Sequence, residues 1–369
     1  VMTASDRSGL KPFIKARISA FLNQGVVLRA AAWTTREIPC CGSTCCRAMN
    51  ARAASPSGTI PSVSRCDDMR KVSHKPKVLT VSQALRRAAR RLEAAEVFFG
   101  HGTDNAIDEA AALLWHVLGI EGVISDRLWS RTLKPREQLA FEALLELRIS
   151  TRQPAVYLTG RTWFAGLPMK TDARALIPRS PIAELIEQQF TPWIDPARVK
   201  RILDLCTGGG CIALAAAHYF PAAKVDASDI SAEALSLARE NRRALGLSRR
   251  VRLVESDHFR ALKGRRYDII VTNPPYVGAR EMRGLPPEYG HEPRMALAAG
   301  KQGLDSVRII LKEAASHLTP GGILVVEVGN TETLVRRTWP RVPFTWLEFE
   351  RGGGGVFLLT REQLQRHVR

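Results

Sequence analysis

The sequence predicts an α/β protein in which a small helical domain precedes a mostly parallel, doubly wound sheet. Three observations support this prediction. Apolar residues between about 80 and 150 recur at helical spacing, and short apolar runs from Arg201 onward alternate with amphipathic segments. Two final β-type runs are joined by consecutive glycines. Alternating strands and helices form parallel sheets, and the closing pair should add an antiparallel hairpin at the end of the sheet.

The composition is that of a globular chain with a large basic excess. The 369 residues are 45% hydrophobic and 24% charged, with a formal net charge of +18. No run reaches the ~18 apolar residues of a membrane helix, so we expect no membrane partner. A cytoplasmic location is expected because the cysteines suggest no disulfide scaffold. The charge favours polyanionic partners such as ribonucleoproteins. An arginine-rich proteome would give the same value, and both explanations stay open.

Residues 1–75 differ from the rest because they lack clear periodicity. They are expected to be a disordered or non-native extension. A disordered tail, a transit peptide and translation assigned upstream of a start at Met69 are the alternatives, and we favour the last. The cysteine-rich run CCGSTCC at 40–46 lacks paired Cys-x-x-Cys spacing and a nearby histidine, so no metal site is expected there. The seven cysteines indicate no disulfide scaffold.

Residues 76–152 are predicted to form a helical domain that binds the substrate. Ser82 and Asp108 are the expected helix starts, and a third helix is expected from about Pro135 to Ile149. A glycine-containing turn, FGHGTDN at 99–105, separates the first two helices. The apolar positions at helical spacing are Leu85, Ala88, Ala89 and Leu92, then Ala110, Leu113, Leu114 and Val117.

Residues 153–178 are predicted to form a β-hairpin linker, because AVYLTG and WFAGLPMKT have β-type composition with glycine punctuation. The remaining chain, 179–369, should carry the chemistry. A helix is expected after PRSPI at 178–182, and Ser231 and Gly246 should begin and end another. The predicted strands are RILDLCTG, KVDASDI, VRLVESD, YDIIVTN and GILVVEVG, then the hairpin pair FTWLEFER and GVFLLT.

A glycine-rich turn follows the first strand of this region. Glycines let the backbone approach a ligand closely, and the following helix N-terminus offers N–H groups. Such a turn also suits dinucleotides, or no ligand at all. The candidate cofactor residues here are Asp204, Cys206, Thr207, Gly208, Gly209 and Gly210.

Acidic residues end the next two strands, where ligands bind in doubly wound sheets. Asp229 lies nineteen residues after Gly210 and is placed to accept both hydroxyls of a ribose. Otherwise it caps the helix starting near Ser231. Asp257 is a candidate acceptor from an adenine amino group, and His258 is a candidate to flank the ring. We interpret both as cofactor-binding residues because of their position beside the glycine-rich turn.

The motif Asn273-Pro274-Pro275-Tyr276 ends the fourth strand. Two prolines fix the backbone and remove two N–H donors, which leaves carbonyl oxygens and the asparagine side chain. This acceptor-rich pocket suits a planar NH2 group, with Tyr276 supplying a flat face. All four residues are candidate catalytic residues, and Asn273 is also a candidate contact to the cofactor.

These motifs resemble those of class I S-adenosylmethionine (AdoMet)-dependent methyltransferases, whose fold is a Rossmann-like doubly wound sheet. Asn-Pro-Pro-Tyr is shared by adenine-N6 DNA methyltransferases and protein-glutamine N(5)-methyltransferases. The helical domain, the hairpin and the PR-x-P junction resemble the glutamine family. Within it, four stretches are similar to the enzymes that act on large-subunit ribosomal protein L-three: FGHGTDN, IPRSPI, DLCTGGGCIA and FTWLEFERGGGGVF.

The resemblance covers residues 78–367 and implies direct methyl transfer from AdoMet to a glutamine amide nitrogen, without a metal. It implies that 206–210, Asp229 and 257–258 bind AdoMet, and that Asn273 to Tyr276 bind the amide. Gly209 stands where Thr or Ser is usual, which implies modestly weaker cofactor binding. In the release-factor enzymes, His258 is replaced by an aromatic ring.

The expected partner is ribosomal protein L-three, free or within an assembling ribosomal particle, and no sequence-specific nucleic acid. Three alternatives stay open: methylation of peptide-chain release factors, methylation of adenine N6 in nucleic acid, and a non-catalytic AdoMet-binding or assembly factor. The intact Asn-Pro-Pro-Tyr motif argues against the last, and no target-recognition region supports the nucleic-acid enzyme.

Overall fold

The computed structural model describes residues 78–121 and 124–368, which belong to one compact unit. The expectations about residues 1–75, the cysteine-rich run and Met69 lie outside the described residues. Within the described part of the chain, no helix is long and apolar enough to cross a membrane.

The first part of the described chain is helical, and its helices start slightly earlier than the sequence predicted. Thr80, not Ser82, caps the first helix: its hydroxyl accepts from Gln83 N at 3.3 Å, and the Gln83 side chain accepts from Thr80 N at 3.0 Å. Asn105 caps the second by accepting from Asp108 N at 3.0 Å. The helices are α1 (Val81–Ala94), α2 (Ala106–Leu118), α3 (Asp126–Ser130), α4 (Pro135–Thr151) and α5 (Ala155–Thr159).

The helical part has an apolar core of its own, distinct from the cores beside the sheet. Leu85 and Leu92 of α1, Leu113 of α2, and Phe141 and Leu145 of α4 are almost fully buried in it. The periodicity of the sequence therefore identified the buried faces correctly. The short helix α3 was not predicted, and its sequence DRLWS carries too little periodicity to reveal one.

The linker is only partly the predicted hairpin. Residues Ala155–Thr159 form helix α5 rather than a strand, because Pro154 precedes the first turn and Gly160 ends it with a φ of 69°. Val156 and Tyr157 were β-type by composition, yet burial satisfies them equally well in a helix. The hairpin itself consists of β1 (Arg161–Phe164) and β2 (Leu167–Lys170), which pair antiparallel.

The second part of the chain forms a seven-stranded sheet in the order β5-β4-β3-β6-β7-β9-β8. The first five of these strands are parallel, and β9 and β8 are antiparallel to their neighbours. This confirms the predicted doubly wound sheet with its closing hairpin. The strands are β3 (Arg201–Leu205), β4 (Lys224–Asp229), β5 (Val251–Glu255), β6 (Tyr267–Thr272), β7 (Leu318–Glu327), β8 (Thr345–Leu347) and β9 (Val356–Thr360).

Helices cover both faces of the sheet, and each face has a separate apolar core. Ser231 caps α8 as predicted, accepting from Ala234 N at 3.1 Å. The C-terminal helix α12 was not predicted. The helices of this part are α6 (Ile182–Glu187), α7 (Cys211–Tyr219), α8 (Ala232–Ala244), α9 (Arg294–Leu297), α10 (Asp305–His317), α11 (Glu332–Thr338) and α12 (Arg361–His367).

The register of the sheet brings the carboxyl ends of its central strands to one edge. Leu205 at the end of β3 is paired with Ser228 of β4 and with Thr272 of β6. Thr272 is in turn paired with Val326 of β7. Residues that directly follow these positions must therefore emerge side by side. Strand order also reverses between β3 and β6, which is where such sheets bind ligands.

Candidate active site

The turn after β3 has the backbone conformation that its glycines suggest. Gly208 and Gly210 have φ values of 55° and 86°, and Cys206 also lies in the left-handed region at 59°. Thr207 N donates to Ser228 O at 2.9 Å, which ties the turn to β4. Gly210 leads into α7, so the N-terminus of that helix faces the same edge of the sheet.

Asp204 supports this turn from below. The residue is 0% exposed, and its carboxylate accepts from the Thr207 hydroxyl and from Ala213 N, the latter at 2.9 Å. Burial raises the pKa of Asp204 to about 7. Because the Asp204 side chain is enclosed, it would contribute to ligand binding only indirectly, by stabilising the conformation of the turn.

Asp229 links the turn to the next helix. One carboxylate oxygen accepts from Gly208 N at 2.8 Å, and the other accepts from Ser231 N at 2.9 Å. Burial raises the pKa of Asp229. The residue is only partly buried, and each oxygen keeps a lone pair for a further donor. Two adjacent ribose hydroxyls are donors of the required kind.

Asp257 and His258 lie just beyond β5, at the same edge. His258 has a φ of 48°, and its Nδ1 lies 2.8 Å from Asp257 Oδ1. This hydrogen bond, together with Arg260, lowers the pKa of Asp257. The other ring nitrogen, Nε2, is buried and has no partner among the described residues. An unpartnered buried nitrogen is able to accept or donate one further hydrogen bond.

These features fit AdoMet. The turn at 206–210 offers a close approach, Asp229 offers acceptors suited to ribose hydroxyls, and His258 Nε2 offers one unsatisfied polar atom at the position where the sequence predicts the adenine ring. Among residues 78–121 and 124–368, no group of three or more His, Cys, Asp or Glu side chains is arranged to hold a metal ion.

The Asn-Pro-Pro-Tyr motif emerges from β6 next to this turn. The Thr272 hydroxyl donates to Leu205 O at 2.6 Å, so the ends of β6 and β3 are fastened together. Pro274 is buried, whereas Asn273 and Tyr276 are partly exposed. The Tyr276 ring lies directly against Gly329, where an added Cβ would come within 2.7 Å of the ring. The glycine therefore makes room for the ring.

Glu327, which the sequence reasoning missed, lies beneath the motif at the end of β7. It is 6% exposed and accepts a hydrogen bond from the Ser180 hydroxyl. The Tyr276 hydroxyl lies 3.4 Å from Glu327 Oε1. Burial raises the pKa of Glu327 to about 7, while Ser180, Arg179, Tyr276 and Asn273 oppose that rise. One signal was available: a lone acidic residue ends the otherwise apolar run GILVV.

A second cluster joins the motif region to the helical part. Glu292 binds Arg179 through both oxygens, at 2.6 and 3.1 Å, and lies 2.9 Å from His101 Nε2. Burial raises the pKa of Glu292, but His101 and Arg179 outweigh it and hold the pKa below its usual value. Arg179 also lies over the Tyr289 ring at 5.4 Å. The FGHGTDN turn therefore supplies a buried histidine to the junction.

Arg148 makes the neighbouring contact. It is 0% exposed and binds Glu109 at 2.5 Å, Glu288 at 3.4 Å and Phe98 O at 3.0 Å. Glu288 also accepts from Phe98 N at 3.0 Å. The segment 287–292, which follows the Asn-Pro-Pro-Tyr motif, is thus attached to the helical part by buried charges. No periodicity in the sequence indicated these contacts.

Comparison with known proteins identifies both parts. Residues 187–284 match the model for the methyltransferase small domain, and residues 83–160 match the model for the PrmC N-terminal domain. A methyltransferase of known structure from Pyrococcus furiosus is 22% identical, with a TM-score of 0.40, over 53% of this chain and 89% of its own.

Two relatives are much more similar in sequence. The ribosomal protein uL3 glutamine methyltransferase of Xylella fastidiosa is 47% identical over 288 residues, which cover 78% of this chain and 92% of the relative. The enzyme of the same name from Neisseria meningitidis is 45% identical over 287 residues, covering 77% and 94%. The similarity spans nearly the whole length of these relatives, and the chain belongs to the ribosomal protein uL3 glutamine methyltransferase family.

Proposed function

We propose that this methyltransferase transfers a methyl group from AdoMet to the side-chain amide nitrogen of a glutamine in ribosomal protein uL3, the L-three protein of the large subunit. The observation that carries this proposal is the adjacency of two motifs. The Asn-Pro-Pro-Tyr segment and the turn at 206–210 emerge side by side, because Leu205 and Thr272 are paired at the ends of their strands. Relatives that are 45–47% identical carry the matching name.

The residues of the chain would hold the two reactants against each other. Asp229, His258 and the turn at 206–210 would bind AdoMet, which supplies an electrophilic methyl group. The Asn273 side chain and the Pro274 carbonyl would engage the glutamine NH2 group. An amide nitrogen is a poor nucleophile, so we attribute catalysis to positioning and to acceptors that stabilise the charge developing on its N–H bonds.

A cavity of about 460 Å³ is lined in part by Arg179 and Ser180, which contact Glu292 and Glu327 respectively. The helical part, the β1–β2 hairpin and the glycine run after β8 all contribute to its wall, as do Arg179 and Ser180. We propose that the cavity receives the segment of uL3 that flanks the glutamine, and that residues 76–152 act as the substrate-binding domain. Lining residues include Gly102, Trp115, Trp163, Arg179, Ser180 and Gly353.

The cellular setting follows from this substrate. We propose that the reaction takes place in the cytoplasm, on free uL3 or on an assembling ribosomal particle, without recognition of a nucleic-acid sequence. The net charge of +18 would assist approach to a particle rich in RNA phosphate.

The test is a methyl-transfer assay with labelled AdoMet that offers purified uL3 and a peptide-chain release factor side by side. Tandem mass spectrometry would locate the modified residue. We expect methyl on a glutamine amide of uL3 alone. Methyl on the release factor alone would overturn the substrate but keep the chemistry, and label on neither protein would overturn the proposal.

A further inference from the structure

The acceptor role of Asn273 depends on which end of its side chain faces the substrate. A carboxamide carries one oxygen that accepts and one NH2 group that donates. The NH2 group of the substrate glutamine needs an acceptor. If the Asn273 carboxamide were turned by 180°, its own NH2 group would face that of the glutamine, and no hydrogen bond could form. Nothing within the Asn-Pro-Pro-Tyr segment itself selects the productive orientation, because prolines 274 and 275 have no N–H groups.

Glu327 lies where it can make this selection. Val326 is paired with Thr272, so Glu327 and Asn273 leave neighbouring strands at the same level. The Asn273 side chain favours the ionised form of Glu327, and Glu327 is almost completely buried. An ionised carboxylate only accepts hydrogen bonds. The Asn273 group that faces Glu327 is then the NH2 end, which leaves Oδ1 directed elsewhere.

The other neighbours of Glu327 reinforce this polarity. Ser180 Oγ accepts from Ile182 N at 3.2 Å, so its hydroxyl hydrogen is available to Glu327. The Tyr276 hydroxyl lies 3.4 Å from the same carboxylate. Two hydroxyl donors thus converge on one buried carboxylate, which the pairing of β6 with β7 places beside Asn273. The polar and charged groups facing Glu327 are Asn273 and Tyr276 from the loop after β6, Arg179 and Ser180 from the segment before α6, and Cys211 from α7.

We propose that ionised Glu327 is a positioning residue that holds the NH2 end of Asn273, so that Asn273 Oδ1 faces the glutamine amide. This inference rests on the proposed function. When Glu327 is protonated it becomes a donor, and Asn273 loses the partner that fixes its orientation. Ionisation of Glu327 as pH rises should therefore increase both kcat and kcat/KM, and kcat/KM should have its midpoint at about 7, the pKa of Glu327 in the free enzyme.

The experiment compares wild type with Glu327→Gln, Glu327→Asp and the control Glu348→Gln, which makes the same chemical change at an exposed position on the sheet edge. We expect Glu327→Gln to lower kcat about 10- to 100-fold, with KM for uL3 and Kd for AdoMet within about threefold. Its kcat should no longer rise between pH 6 and 8. Glu327→Asp should keep the rise, and Glu348→Gln should match wild type.

A readout in the absence of AdoMet and substrate separates positioning from general structural damage. The side-chain ¹⁵NH₂ signals of Asn273, identified by their loss in Asn273→Asp, should titrate in wild type and remain fixed in Glu327→Gln. If Glu327→Gln fails to fold, Ser180→Ala replaces it. Loss of that donor should move the rise in kcat to higher pH.

Two results would overturn the inference: a Glu327→Gln enzyme whose kcat still rises through neutral pH, or Asn273 signals that titrate equally in both proteins. If Ser180→Ala is used instead, a pH profile of kcat with the same midpoint as wild type would also overturn the inference. Failure of the proposed function is distinguishable, because wild type would then methylate no glutamine of uL3 at any pH.

Discussion

The two halves of the site are built differently. The half proposed to bind the cofactor, here called the cofactor half, lies at the ends of β3, β4 and β5 and is held by contacts over short sequence separations. Asp204 binds Thr207 three residues away and Ala213 nine residues away, and Asp229 binds Gly208, 21 residues away. The half proposed to bind the glutamine amide, here called the amide half, lies at the ends of β6 and β7 and is held by distant side chains. Glu327 binds Ser180, which is 147 residues away, and contacts Tyr276, which is 51 away.

Each half nevertheless has a buried carboxyl group at its centre. Burial raises the pKa of Asp204 and of Glu327 to about 7. Asp204 accepts from a turn that belongs to its own motif, whereas Glu327 accepts from two other segments. The comparison shows two ways to stabilise a motif. The glycine-rich turn is held by a residue of the same motif, whereas the Asn-Pro-Pro-Tyr segment is held by residues from distant parts of the chain.

The largest effect should come from Asn273→Ala, which tests whether the amide half can be impaired without affecting the cofactor half. We expect kcat to fall about 10²- to 10³-fold, because an acceptor aimed at the reacting amide is lost. The Kd for AdoMet should change less than about threefold, since the cofactor half stays intact. Steady-state kinetics and calorimetric titration measure the two values. Unchanged turnover would refute the role assigned to Asn273.

The next effect concerns Asp204, the buried carboxyl group of the cofactor half, and should appear in the pH dependence of the free energy of unfolding. The pKa of Asp204 is higher in the folded protein than its ordinary value of 3.8, so its contribution is fully present below about pH 4 and is lost as pH rises through 7. Asp204→Asn removes this dependence. Relative to wild type, the variant should gain about 4 kcal/mol in free energy of unfolding between pH 4 and 8.

Urea unfolding of both proteins at several pH values measures this difference, and the Glu327 contribution cancels because both proteins carry it. Glu348→Gln serves as the control and should show a constant difference from wild type. A constant difference for Asp204→Asn as well would contradict the ionisation behaviour inferred for this buried carboxyl.

Asp229→Ala should give the reverse of the Asn273→Ala pattern. Loss of a charged acceptor of about 1.5–3 kcal/mol should weaken AdoMet binding roughly 10- to 100-fold. At saturating AdoMet, kcat should stay within about threefold of wild type. If instead kcat collapses while the Kd for AdoMet is preserved, the division of the site into two halves is wrong.

The smallest effect should come from Gly209→Ser. A Cβ at this position would lie 3.3 Å from Leu237 Cδ2, the movable end of a side chain, so the turn should tolerate it. The added hydroxyl should tighten AdoMet binding about two- to threefold, in line with one modest hydrogen bond. Gly209→Ala adds the Cβ alone and should give no gain. Equal tightening by both variants would assign the effect to packing.

The same contrast explains what the sequence could predict. The strands themselves, the closing hairpin and the positions of Asp229 and Asn273 at strand ends follow from local patterns, because apolar runs and glycine turns determine where strands end. Local patterns gave a wrong prediction where the same residues can be buried equally well in a helix or in a strand. The run AVYLT formed a helix between Pro154 and Gly160, although its composition favours a strand.

Contacts between distant segments left no periodic signal. The proposed support of Asn273 by Glu327, and the junction of His101 with Glu292, depend on tertiary packing that brings separate polar residues together. The turn FGHGTDN was identified by its glycines and by its similarity to a family, but its partner in the second half of the chain had no sequence pattern. The positions of the residues proposed to bind the cofactor could therefore be predicted, whereas the contacts that support the amide half could not.

The buried charges of the segment 287–292 limit how this enzyme can be re-engineered. Glu288 is enclosed with Arg148, which the helical part contributes, whereas Glu292 contacts both His101 of the helical part and Arg179 of the following part. A chimera that grafts another helical domain onto this sheet must therefore bring a cation that matches Glu288. Otherwise the graft buries an uncompensated charge, at a cost of about 3–5 kcal/mol. On the proposal that the helical part binds the substrate, substrate preference and the alignment of the reacting groups are inherited together.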